Sequence, residues 1–116
     1  MSTQQKVCWI MKIKEERRKE YIEIHSRGKV WPSVLDSMRK AGFSKMTIFM
    51  YELVAIIYAE VKDFNKATEY LSKNPDTVKW NKINSNMTDE APNFSSKNYD
   101  YVLPIIFDFE NGKQVN

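Results

Sequence analysis

A chain of 116 residues, 42% hydrophobic and 28% charged, has the size and balance of one globular domain with room for a core. Its 18 Lys and Arg stand against 15 Asp and Glu, and a net charge of +3, interleaved with acids, argues against a nucleic-acid-binding surface. Cys8 is the single cysteine, so no internal disulfide can form, and no apolar run approaches the ~20 residues of a membrane span. Met1 to Lys6 lacks the apolar core of a signal peptide, and a cytoplasmic protein without membrane contact is expected.

Val7 to Ile13 alternates as a strand, with Val7, Trp9, Met11 and Ile13 on one face and Cys8 and Ile10 on the other. Glu15 to Ser26 reads as a helix. Glu15 and Glu16 suit its positive end, Tyr21, Ile24 and His25 form its only uncharged stripe, and Gly28 is a natural stop. Trp31, preceding a proline, is biased to an extended conformation, and Pro32 can open a second helix. Val34, Leu35, Met38 and Ala41 give that helix an amphipathic spacing that ends at Gly42.

Lys45 to Tyr51 and Leu53 to Val61 read as two strands of a hairpin. Both of their faces are apolar. Leu53, Ala55, Ile57 and Ala59 alternate with Val54, Ile56 and Tyr58, and Met46, Ile48 and Met50 alternate with Phe49 and Tyr51. A sheet apolar on both sides needs cover on both. Helices can supply one cover; the other side must enclose a ligand cavity, meet a second subunit, or do both.

Asp63 is placed to cap a short helix with Phe64, Ala67, Tyr70 and Leu71 inward. Asn74-Pro75 opens another helix in which Trp80, Ile83, Asn84 and Met87 share a face. Thr88 to Asp100 is polar and reads as an ordered loop, and Val102 to Phe109 as a closing strand that Pro104 confines to an edge or to the part beyond it. The order strand, helix pair, strand, strand, helix pair, strand predicts one α+β domain over residues 1–116. It is the ferredoxin-like split β-α-β layout, helices on one face of an antiparallel sheet, the open face closed by a twin subunit.

Few groups here can do chemistry. His25 is the only histidine, and Tyr21, one helical turn earlier, stacks a phenol beside it. A lone histidine is by default structural, but this pairing next to the Trp31-Pro32 corner points to a proton shuttle near neutral pH. Trp80 reads first as a core anchor, although a tryptophan face also suits the C–H face of a sugar ring. Met11, Met38, Met46 and Met50 read as gap-filling core residues. There is no cluster at metal-ligand spacing, no glycine-rich phosphate loop and no nucleophile motif, which leaves acid–base chemistry without metal or cofactor.

Several stretches together resemble the L-rhamnose mutarotase family: Glu20-Tyr21 with His25, Trp31-Pro32, Ala41 through Phe49, the strand Val54 to Glu60, Asn74-Pro75, Val78-Lys79-Trp80 and the closing strand to Phe109. The resemblance spans about Val7 to Glu110. It implies a homodimeric α+β barrel that interconverts the α and β anomers of a deoxy-hexopyranose without cofactor. By the same resemblance His25 is the proton donor, Tyr21 contacts the sugar, and Trp80 and Trp31 belong to the pocket region. Met46 and Asn81 stand at sugar-contacting positions where the rhamnose-type branch carries a tyrosine and a second tryptophan; a methionine and a single tryptophan there look more like the branch acting on L-fucose. Other readings of the same architecture are a cofactor-free monooxygenase or lyase, and a non-catalytic module that holds a sugar or small metabolite. The loop from Thr88 to Tyr101, with Tyr99 and Tyr101, could add hydroxyls to the site.

Overall fold

The computed structural model describes residues 4–92 and 101–116. A four-stranded antiparallel sheet is built from β1 (Gln5–Ile13), β2 (Phe43–Tyr51), β3 (Val54–Val61) and β4 (Thr88–Glu90), in the order β2-β3-β1-β4. Between β1 and β2 lie a 3-10 turn, Glu15–Arg17, and the helices α1 (Arg18–Ile24) and α2 (Pro32–Ala41); between β3 and β4 lie α3 (Phe64–Ser72) and α4 (Pro75–Ser85). This is the expected α+β, ferredoxin-like arrangement, with the middle strands β1 and β3 contributed by separate halves of the chain.

Side-chain alternation explains where the core sits. Val7, Trp9 and Ile13 of β1 and Ala55, Ile57, Ala59 and Val61 of β3 point under the helices and are buried, joined by Tyr21, Phe64, Ala67 and Met87. The opposite parity carries Ile10, Phe49 and Tyr51, which are exposed at 49%, 59% and 66%. Ile10 faces Ile56, Ile56 faces Phe49, and Tyr51 faces Val54, so these side chains form one continuous apolar surface across β1, β3 and β2.

Local signals set the helix ends. Pro32 starts α2 behind an extended Trp31, Asp63 Oδ1 accepts from the Lys66 amide, and Asn74 Oδ1 accepts from the Thr77 amide ahead of Pro75. Gly42 closes α2 at φ +108°, and its carbonyl accepts from the Lys62 amide at 3.0 Å. A Cβ there would sit 3.4 Å from Lys62 Cβ in a left-handed backbone, so only glycine turns the chain this close to β3. The β2–β3 turn places non-glycine Glu52 at φ +52°, held by Arg18 Nε donating to its carbonyl at 2.7 Å.

Five expectations need correction. Val102 to Phe109 is not the closing strand. The fourth strand is Thr88–Glu90, paired with Lys12 and Ile13, inside the stretch expected to be loop. Pro104 interrupts ladder donation in the later segment, which touches the β1 edge through Leu103 N–H to Cys8 O at 2.8 Å. Only Phe109–Glu110 (β5) and Lys113–Gln114 (β6) pair there, in a hairpin of their own. The helix expected over Glu15–Ser26 divides into a 3-10 turn and a short α1 ending before His25, and α3 turns Tyr70 outward, 40% exposed. Ile83, expected on the buried face of α4, is 37% exposed as well. Residues 93–100 of the expected loop, including Tyr99, lie outside the described residues, and Tyr101 packs against Trp9 and Phe64.

Candidate active site

The helices do not pack solidly onto the inner face of the sheet. Between them lies a cavity of about 950 Å³, within the range of small-molecule sites, with Trp9, Met46 and Ile57 on its sheet side. Tyr21 and His25 enter it from α1, and Trp80, Asn81 and Asn84 from α4. A second cleft of about 450 Å³, beside Gln5, Lys6 and Phe64, includes none of these helix residues.

The imidazole itself ends α1. In a continuing helix the His25 amide would donate to the Tyr21 carbonyl four residues back. Here that amide bonds the Ile22 carbonyl at 3.2 Å, and His25 Nδ1 takes the Tyr21 carbonyl at 2.7 Å. A carbonyl only accepts, so Nδ1 carries a proton and, in the neutral ring, Nε2 holds the free lone pair. Burial is the larger influence on this imidazole and lowers its pKa below the usual 6.5, against the bond from Tyr21 O, which raises it. The ring is therefore neutral at pH 7, with Nε2 as a base.

Tyr21 is 1% exposed, and its ring lies 4.5 Å from that of His25. Burial pushes the phenol up to about 12, so it stays protonated. Its Oη is buried and has no hydrogen-bond partner among the described residues, a condition that costs roughly 1–3 kcal/mol for a polar group. A base and a proton-bearing hydroxyl thus stand side by side. Trp80 meets the His25 ring edge-on at 5.6 Å and is itself buttressed by Trp31 at 5.2 Å.

Of the residues singled out in the sequence, Tyr21, His25, Met46, Trp80 and Asn81 all line this one cavity. Asn81 is exposed at its edge, and Trp31 falls outside the lining, packed against Trp80. Sequence reasoning missed Ser37 of α2 and Thr77 of α4 and gave Asn84 of α4 no role at the site. Ser37 is buried and donates to the Val34 carbonyl at 2.7 Å; its single proton is then committed, so Thr77, 2.7 Å away, must donate to Ser37 Oγ. Asn84 Nδ2 donates to the Trp80 carbonyl at 2.9 Å, while its Oδ1 is buried without a partner among the described residues. The only available signal was that Asn84 shares the Trp80 face; nothing in the spacing marked Ser37 or Thr77.

Among the described residues no group of three or more His, Cys, Asp and Glu is placed to hold a metal ion, and no helix is long and apolar enough to cross a membrane.

The model of the family described as L-rhamnose mutarotase matches residues 6–109 of the chain. Among solved structures, an L-rhamnose mutarotase from Formosa agariphila is similar in fold, with a TM-score of 0.70 over 91% of this chain and 99% of that one, at 19% identity. Among curated proteins none matches.

Proposed function

The chain belongs to the L-rhamnose mutarotase family of carbohydrate isomerases, and from that premise we propose that the cavity binds a deoxy-hexopyranose, L-fucose or L-rhamnose, and exchanges its anomers. The observation that carries this reading is the bond from His25 Nδ1 to the Tyr21 carbonyl, which leaves Nε2 as a base beside a protonated phenol in a single cavity.

Ring opening needs a proton removed from the anomeric hydroxyl and one delivered to the ring oxygen. His25 Nε2 takes the first as the bond from the anomeric carbon to the ring oxygen breaks. Tyr21 Oη–H supplies the second: even with its pKa raised to about 12, a phenol is a far stronger acid than the alcohol formed at the ring oxygen. The open-chain aldehyde turns its carbonyl, the phenolate recovers the proton from that hydroxyl as it attacks, and the imidazolium returns its own to the carbonyl oxygen. Protons and electron pairs balance, and His25 is base in opening and proton donor in closing. Trp80 offers an aromatic wall, Met46 an apolar contact for the deoxy methyl group, and Trp31 holds Trp80 in place.

The uncovered sheet face belongs to the same proposal. Ile10, Phe49, Tyr51 and the half-buried Ile56 form an apolar patch with no helix over it among the described residues, and Ile105, Ile106 and Phe107 are exposed too. A second copy presenting the same face would cover both, giving a homodimer.

The direct test is saturation-transfer NMR on anomeric protons of L-fucose, L-rhamnose and other aldoses. Acceleration by the wild-type protein and its loss in His25→Gln is expected; exchange at the background rate for every sugar would overturn the activity.

A further inference from the structure

Asn84 stands one turn after Trp80 on α4, and both line the cavity that holds Tyr21 and His25. Its carboxamide has a fixed sense. The Trp80 carbonyl can only accept, so the group bonded to it at 2.9 Å is the NH₂, and Oδ1 is the end left over. That oxygen is buried, has no partner among the described residues, and belongs to a residue of the cavity wall. Native proteins leave few such atoms unsatisfied, and those they do leave ask for a ligand or a water.

The other polar groups decide which kind of ligand fits. Neutral His25 offers a lone pair at Nε2, and Asn84 offers the unpaired Oδ1 beside an NH₂ with one of its two hydrogens given to the Trp80 carbonyl. Tyr21 is a donor. A ligand that satisfies this wall brings a hydroxyl hydrogen to each acceptor, and a pyranose carries several. We propose that Asn84 is a specificity residue whose Oδ1 accepts a hydrogen bond from one sugar hydroxyl other than the anomeric one. The assignment rests on the sugar-site reading given above and adds to it a residue that selects among sugars without joining the proton transfers.

The test is anomeric-exchange NMR with L-fucose, L-rhamnose and their monodeoxy analogues on wild type, Asn84→Leu and Asn84→Ala, with thermal melting of each protein free of sugar. In wild type, one analogue should be handled roughly tenfold worse than its parent, since its missing hydroxyl leaves Oδ1 unpaired. In Asn84→Leu, KM for the parent should rise about tenfold with kcat nearly kept, and parent and that analogue should become alike. The melting point of Asn84→Leu should equal or exceed wild type, because an unsatisfied acceptor is gone; Asn84→Ala reads the same sugar discrimination without a bulkier side chain. Wild type active on a sugar, with both variants unchanged in KM or weakened equally on every analogue, overturns the role of Asn84 alone. Wild type inactive on all sugars overturns the sugar site and this assignment together.

Discussion

The two faces of the sheet are made from similar residues and meet opposite fates. On the inner face, Trp9, Met46, Ile48 and Ile57 lie beneath four helices, and the cover is loose enough to leave about 950 Å³. On the outer face, Ile10, Phe49 and Tyr51 are exposed beside Ile56, and among the described residues no helix lies over them. Hydrophobic pattern alone treats the two faces alike, since both alternate cleanly. The polar groups at their margins separate them. The inner face receives a buried phenol, an imidazole and a carboxamide from the helices; the outer face is rimmed by charge, with Lys6 bonded to Asp108 and Glu110, and Lys45 to Glu60. Buried polar groups with free valences mark a site for a small molecule. A broad apolar patch with a charged rim marks a site for a protein surface.

This contrast can be broken most sharply at His25. His25→Gln should lower the anomer-exchange rate by roughly 10²- to 10⁴-fold while sedimentation stays that of wild type; an unchanged rate would show that the inner face has no catalytic base. On the outer face, Phe49→Asp should weaken self-association by about 2 kcal/mol or more, near thirtyfold in dissociation constant, and leave the pH dependence of exchange in place. A wild-type protein that sediments as a monomer at micromolar concentration would end the assignment of that face to a second copy.

Smaller effects sharpen the inner face further. Tyr21→Phe should slow exchange yet stabilise the free fold by about 1 kcal/mol, because a buried hydroxyl without a partner is removed; a lowered melting point would mean that Oη is bonded in the free protein. Thr77→Val should cost about 1 kcal/mol by taking from Ser37 Oγ the donor it now has, seen as a modest fall in urea midpoint. The smallest effect is a matter of pH. Because the His25 pKa is lowered below 6.5, the base form is full at neutral pH and is lost only as pH falls through that lowered value. The acid limb of kcat/KM should therefore lie below 6.5, and a midpoint above 7 would contradict the buried, neutral ring. In the same direction, the unfolded chain protonates this histidine first as pH drops from 6.5, so the fold loses a little stability in that window.

Much of this was legible in residue order. The Pro32 and Asn74-Pro75 starts, the Gly42 stop and the alternation of β1 and β3 are local signals read through local physics, and each sits where the spacing put it. The Tyr21 to His25 interval gave the ring pair correctly even though the helix stops before His25, since the imidazole replaces the bond that would have continued it. What escaped were features set by long-range geometry. Val102 to Phe109 has strand composition, but whether a strand pairs depends on a free edge, and Thr88–Glu90 takes the β1 edge at Lys12 and Ile13. Ser37 and Thr77 are ordinary helix residues until two helices bring their oxygens to 2.7 Å, and the free valence of Asn84 appears only once its amide is seen tied to Trp80. Two apolar faces call for two covers, but that the helices enclose the cavity on their own side of the sheet is a property of the folded chain.

Tyr21 holds two instruments on one residue. Its side chain presents the hydroxyl, while its main-chain oxygen aims the imidazole, and substitution reaches only the first. A replacement that keeps the backbone of α1 keeps the carbonyl bonded to His25 Nδ1, so the tautomer that frees Nε2 does not depend on which side chain stands at position 21. The ring packed 4.5 Å from the imidazole does change with that side chain, so position 21 can alter the surroundings of the base while leaving its proton on Nδ1.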